Sequence, residues 1–457
     1  MNTVRAFAFA VAVAVSALLA RPLAAQPPAH TARPTTDSGS ARWSPLLLGT
    51  QINIIHQRLI PFSAPYDGPN SLRHGGDAKT SEAYGFYTGV RLAREFEGYL
   101  DVEMIRGKGV SGTVGLAGIT NGDVIRQGSA DLGDGPYVAR IFLRYVHGFG
   151  SAMDTIARAV DQVPAVASAT RLEVTAGKFG VSDVFDLNRY ANSTRVQFLN
   201  WGLFQNTAWD YAADTRGYSN GVAVALVSKW WTLRAGSFQM PVRANANVFD
   251  SDLGRARGDN VELTATVPAT NTTLRVLGYV NHARMGNYRS AIARGAAAGT
   301  NPDIVADDRP GRSKTGIGLN LEQPLGDGGE TGLFLRAGWS DGKNESFAFT
   351  EVDRHFSAGL QLSGARWSRA RDRLGIAVVD HALFADHRDY LAAGGSGFLL
   401  GDGRLAYGEE RIAEGYYRVQ LGPYVELSPD VQVISNPGYN RERGPATVAS
   451  LRFNFRY

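Results

Sequence analysis

Leu451-Arg452-Phe453-Asn454-Phe455-Arg456-Tyr457 (LRFNFRY) alternates apolar and polar residues without a fault to its last position. Termini usually fray and tolerate most residues, so a faultless pattern there implies a use. As a β-strand the stretch puts Leu451, Phe453, Phe455 and Tyr457 on one face. Arg452, Asn454 and Arg456 take the other. The oily face can meet a second sheet in a soluble sandwich. It can also meet lipid outside a closed barrel, with the arginines facing water within. The rest of the sequence has to choose.

The start of the chain points to export. Arg5 precedes an apolar run, Ala6 to Ala20, and Leu23-Ala24-Ala25 offers a small-residue cleavage site, so residues 1–25 read as a secretory signal. That run is shorter than the ~20 residues a membrane-spanning helix needs. Residues 26–42, rich in Pro, Ser and Thr, read as a flexible lead-in, and 43–457 as one domain. Losing the signal removes Arg5 and Arg21 and no carboxylate, lowering the formal charge of +4 by two. So small a surplus argues against a nucleic-acid partner.

The chain has no cysteine, which excludes disulfides and thiolate metal sites. No second long apolar run exists, which excludes a helical membrane protein. The 53 glycines, 18 tyrosines and 21 phenylalanines suit hairpins, loops and interfacial girdles.

Period-two alternation marks about sixteen strands. The links between them alternate in length. Arg94–Glu97, Lys229–Trp230, Pro268–Thr272, Pro324–Glu330 and Gly422–Pro423 are short. Arg58–Glu82, Arg106–Pro136, Gly180–Asn220, Met240–Asp259, Ala283–Lys314 and His381–Glu414 are long. Short periplasmic turns and long external loops produce that rhythm; a sandwich has no reason to. Gly148–Thr170 is long where a short turn is due, and is expected to hold a small periplasmic helix.

The strand faces agree. In Gly98–Met104, Leu100, Val102 and Met104 alternate with Asp101 and Glu103. In Tyr137–His147, Tyr137, Ala139, Ile141, Leu143 and Tyr145 oppose Arg140 and Arg144. Arg275, Arg336, Arg418, Arg452 and Arg456 also sit on polar faces. Burying such charges dry costs several kcal/mol each unless they are paired, whereas a water-filled lumen removes the cost. The expected fold is all-β: a transmembrane antiparallel barrel of about 16 strands, with Glu103, Arg140 and Arg144 lining the lumen. LRFNFRY is its closing strand, and Tyr457 a mark for the barrel-assembly machinery.

Four ordered blocks resemble the carbohydrate-selective porin family (OprB-like). They are PFSAPYDGPNSL (Pro61–Leu72), GYLDVEMIRGKGVSGTVGLAGITNGD (Gly98–Asp123), Gly177–Gly221 and GYYRVQLGPYVELSPDVQVISNPG (Gly415–Gly438). Val102, where the family usually has proline, and Ile434-Ser435 depart from the pattern. The resemblance implies a monomeric sixteen-stranded channel in the Gram-negative outer membrane, passing carbohydrates passively into the periplasm. It also implies that the third long loop folds into the lumen, which agrees with the independent placing of Gly180–Asn220 as the third long link. In that loop Trp201 and Trp209 can stack on sugar rings. Asn188, Asn200, Asn206, Asp210, Asp214 and Arg216 can exchange hydrogen bonds with hydroxyls.

Other chemistry finds little support. GKGVSG (Gly107–Gly112) is followed by no helix, so it reads as a loop and not a nucleotide site. The eight histidines lack metal-site spacing, there is no G-x-S-x-G elbow, and no cofactor, metal or catalytic residue is expected. DLGDG (Asp131–Gly135), LGDGG (Leu325–Gly329) and LGDGR (Leu400–Arg404) read as hairpin turns. Two other functions stay open: a general or anion-preferring porin of the same fold, and a non-transporting barrel, either a hydrolase or a surface-binding protein.

Overall fold

The computed structural model describes residues 46–124, 132–347 and 350–457; the signal and lead-in lie outside them. Sixteen strands follow one another: β1 (Leu46–Ile60), β2 (Asp77–Ala93), β3 (Phe96–Gly107), β4 (Tyr137–Ile156), β5 (Ala165–Phe179) and β6 (Ser219–Val227). Next come β7 (Trp231–Gln239), β8 (Arg257–Val267), β9 (Thr272–Met285), β10 (Arg309–Gly326) and β11 (Thr331–Ser340). The set ends with β12 (Arg354–Ser363), β13 (Arg373–Ala382), β14 (Glu410–Gln420), β15 (Val425–Ser435) and β16 (Ala446–Arg456).

Every strand pairs with its sequence neighbours, and β16 pairs antiparallel with β1 to close a barrel. At the seam Gln51 faces Arg456 and Ile60 faces Thr447. Closure removes the free edges an open sheet would present to lipid. Among the described residues no helix is long and apolar enough to cross a membrane.

The terminal stretch behaves as its pattern predicts on the outer face. Leu451 and Phe453 are 47% and 36% exposed there, opposite His56 and Ile54 of β1. The short links gather at one end of the barrel and the long ones at the other. Connections 341–353 and 436–445 complete the long-loop end. Short helices Tyr288–Ala298 and Ala385–Ala392 fold within two of these loops, their tyrosines Tyr288 and Tyr390 in ring contact at 5.2 Å.

Three expectations need correction. Gly148–Thr170 holds no helix; β4 and β5 simply run on, to Ile156 and from Ala165, as a long hairpin. Alternation in β4 breaks at a β-bulge, where Asp101 faces Arg140 but Val102 faces Val138, leaving Ala139 unopposed. The extra residue shifts the phase of everything before it. Val138 therefore points outward, and Tyr137 turns in to donate its hydroxyl to Glu103 at 3.1 Å.

The third correction concerns the inward arginines, which do not all face water. Arg336 and Arg452 are fully buried, because the third long loop fills the barrel at their level. Arg452 donates to the Thr194 and Gln197 carbonyls, both at 2.6 Å. Of the three LGDG-type turns, Leu325–Gly329 joins β10 to β11 at the short-turn end. Leu400–Arg404 lies inside the loop between β13 and β14 instead, and Asp131 falls outside the described residues.

Candidate channel constriction

The third long loop, residues 180–218, is stitched to the inner wall along most of its length. Asp186 forms an ion pair with Arg336 on β11 at 3.0 Å and accepts from Asn320 on β10 at 2.7 Å. Leu199 and Asn200 donate their backbone N–H groups to Glu414 on β14, at 2.5 and 2.9 Å. Thr207 sits between His355 on β12 and His381 on β13. Glycines in the wall make seats for it. A Cβ on Gly318 or Gly338 would lie 2.5 or 2.0 Å from the Asn206 amide, so only glycine lets that side chain reach the sheet.

These anchors hold the loop over β8 to β16. Against β3 and β4, a charged cluster faces it. Glu103 of β3 accepts hydrogen bonds from Arg195 at 3.1 Å and from the hydroxyls of Tyr137 and Tyr218. Arg195 bridges onward to Asp123 at 2.9 Å and Gln51 at 3.0 Å. Arg140 of β4 takes Asp183 in a bidentate pair (2.7 and 2.8 Å), reaches Asp101 at 3.2 Å, and lies 5.0 Å from the Tyr218 ring centre. Arg216 covers the Tyr137 ring at 3.9 Å. Asp214 folds the loop's return, accepting from the Arg216 and Tyr218 N–H groups at 2.9 and 3.1 Å.

Burial and charge act against each other here. Burial lifts the Asp214 carboxyl above its usual range, partly offset by the Tyr218 N–H and by Lys178. Burial opposes the Arg195 charge, yet Asp123 and Glu103 raise its pKa further, so it stays a cation. Burial and the Glu103 carboxylate together keep the Tyr218 phenol protonated. The cluster thus offers guanidinium and phenol donors beside carboxylate acceptors, the carboxylates outnumbering the guanidinium groups.

Of the residues singled out in the sequence, Glu103, Arg140, Asp214 and Arg216 meet in this cluster. Arg144 lies nearer the short turns, over the Tyr99 ring at 5.0 Å. The others lie along the loop's attachments. Asn188 bonds Asn320 at 2.7 Å, Asn200 bonds Gln432 at 3.1 Å, and Asp210 pairs with Lys314 at 3.1 Å. Trp209 is 1% exposed with its indole N–H on Asn260, and Trp201 is 7% exposed in the same apolar core. Neither ring presents an open face in this structure. Sequence reasoning missed Arg195, Tyr218 and Tyr137. The bulge hid Tyr137; the sequence Arg216-Gly217-Tyr218, beside the Asp214 turn, was a usable signal for Tyr218.

Toward the short-turn end, inward arginines pair with acidic neighbours. Arg91 meets Glu97 at 2.7 Å, Arg171 meets Glu173 at 2.6 Å and Arg234 meets Glu262 at 3.4 Å. Arg275 pairs with Glu322, and Arg418 approaches Glu426 at 3.7 Å.

Neutralising Glu103 should alter ion preference more than conductance. Glu103→Gln leaves Arg195 and Arg140 with one counter-charge fewer beside the passage, so reversal potentials under a salt gradient should move toward anions. An unchanged reversal potential would remove Glu103 from the permeation path.

A closed sixteen-stranded antiparallel barrel, oily outside and charged inside, with one long loop folded into its lumen, is an outer-membrane channel of the porin class. The carbohydrate-selective porin, OprB family model matches residues 71–457, and the chain belongs to that family. Among solved structures, Pseudomonas putida OprB superposes with a TM-score of 0.66 at 15% identity, covering 90% of this chain and 94% of that one. The DcaP channel of Acinetobacter baumannii matches at 0.48 and 9% identity, covering 90% and 97%. The anion-selective porin from Comamonas acidovorans matches at 0.48 and 8%, covering 90% and 99%. At such identities the likeness shows the fold alone. None of the curated proteins matches the sequence. The chain is a non-enzymatic porin of the Gram-negative outer membrane.

Proposed function

We propose that the channel passes neutral carbohydrates, mono- and small oligosaccharides, passively into the periplasm. The observation that carries this reading is the pairing of charge along the passage. Arg140 and Arg195 each hold two or more carboxylates within 3.5 Å, so the passage supplies many donors and acceptors and leaves neither cation bare. Hydroxyl groups can exchange hydrogen bonds with such a wall without a strong charge trapping the solute. Glu103, Arg140, Asp214 and Arg216 would touch the sugar, with the Tyr137 and Tyr218 rings beside them as apolar surface. Asn188, Asn200, Trp201, Trp209 and Asp210 would act by holding the loop, and Arg144 would line the exit.

Liposome swelling with a panel of mono- and disaccharides, together with sugar-induced block of ion current, tests the reading. Entry should depend on sugar identity at equal size, and the permeant sugars should block current. Rates that follow size alone, with no block, would leave a general porin.

A further inference from the structure

The β4–β5 hairpin outruns both neighbouring strands at the short-turn rim, which the proposed function places on the periplasmic side. Tyr145 is the last β4 residue facing β3, and Arg171 the first β5 residue facing β6, so the hairpin beyond them has no strand on either side. It does not project away from the barrel. Residues 150–152 stand against the single residue Ala169, a register break between Phe149 and Met153, and Gly150 takes a φ of 81° that glycine adopts freely. The hairpin bends there, and its tip returns to the lumen.

Three contacts fix the tip inside. The Val163 N–H donates to the inward hydroxyl of Tyr99 at 3.1 Å, and the Val163 side chain is 1% exposed. Arg158 reaches the Leu48 carbonyl on β1 at 2.5 Å. Asp161, at the turn between the bridged residues Ala159 and Gln162, stands 3.4 Å from the Arg140 guanidinium. That same guanidinium holds Asp183 at the base of the third loop. One cation therefore ties the hairpin tip, the barrel wall and the constriction loop together.

Between the inserted hairpin and the third loop lies a cavity of about 920 Å³. Arg91, Glu97, Arg144, Glu173 and Arg234 line it from the wall, and Gln162 and Val163 from the hairpin. Its size is near the upper end of the range for small-molecule sites, about 300–1,000 Å³. Its arginines sit beside the carboxylates described above, a lining suited to many hydroxyls and unsuited to a lone charge.

We propose that the β4–β5 hairpin is a second constriction at the periplasmic mouth, and that the chamber it closes off is a holding site for one neutral sugar after the loop constriction. The nature of the solute rests on the carbohydrate reading; the second constriction does not.

Two measurements separate these parts. The chain has no native cysteine, so Gln162→Cys offers a single thiol. In a planar bilayer, a bulky charged thiosulfonate reagent should cut ion current by about half, as a group added to a pore wall does. Full labelling, confirmed by mass, with unchanged current would put the tip outside the path and overturn the proposal. Replacing residues 150–165 by a two-residue turn should raise conductance about two-fold and shorten sugar-induced closures, with the third loop intact. Conductance that rises while closures keep their duration would retain the constriction and reject the holding site. A wild-type channel that no sugar blocks would instead reject the carbohydrate reading, leaving the thiol result to judge the hairpin.

Discussion

Arg336→Ala should release the third loop and raise single-channel conductance about two-fold or more, because the loop sets the cross-section of the lumen at that level. The Arg336 guanidinium has no solvent contact and pins three points of the loop. It pairs with the Asp186 carboxylate at 3.0 Å and donates to the Leu203 and Ala191 carbonyls at 3.0 and 2.8 Å. Removing one partner of such a buried pair leaves an uncompensated charge and costs about 3–5 kcal/mol. The barrel ladder, by contrast, keeps every backbone bond, so the loss falls on the loop.

The double variant Arg336→Ala with Asp186→Ala should recover part of the wild-type conductance, since the stranded carboxylate is gone. Planar-bilayer recordings of the folded variants decide the matter. Wild-type conductance in Arg336→Ala would mean that the remaining anchors, Glu414 and His381 among them, hold the loop unaided.

Replacing Phe455 and Tyr457 together with serine should remove most of the protein from the outer membrane. The Tyr424 ring lies 6.4 Å from Phe455 and 5.3 Å from Tyr457, an aromatic group at the short-turn end of the closing seam. Taking two such side chains out of an apolar setting forfeits about 1.5–3 kcal/mol each. The backbone partners at the seam, Thr50 and Tyr457, exchange bonds at 3.1 and 2.9 Å and would lose their cover. We also propose that the barrel-assembly machinery reads Tyr457, in which case Tyr457→Phe keeps insertion and Tyr457→Ser alone lowers it. Heat-modifiable barrel at wild-type level in outer-membrane fractions of the double variant would refute the prediction. Arg456→Gln on the same strand should insert normally, since Arg456 is exposed; Arg452→Gln should not be as mild, since Arg452 holds loop carbonyls.

The barrel was legible in the sequence because its signal is local. Lipid on one side and polar groups on the other impose a period of two on each strand, and the pattern survives in any short window, LRFNFRY included. The unequal links carried the second half of the argument, since turn length needs no knowledge of what the strands pair with. Failure began where a partner strand decides. The β4 bulge is invisible without β3 beside it, and so Tyr137 was placed on the wrong face.

The constriction was legible as a segment and much less so as residues. The third long link was found from its length, but whether Asn200 or Asp210 faces a solute, water or another strand depends on groups more than a hundred residues away. An asparagine that binds a sugar and one that caps a wall carbonyl look alike in sequence, because the chemistry offered is the same. Thus the sequence determined an exported, cysteine-free barrel with alternating faces and one oversized loop. Tertiary structure alone decided that the loop lies against β8 to β16, that Glu103 and Arg140 meet its Arg195 and Asp183 on the other side, and that the hairpin at residues 148–164 turns back into the lumen. The first set follows from the solvent each face must meet; the second follows from which distant side chains can satisfy one another once the barrel has closed.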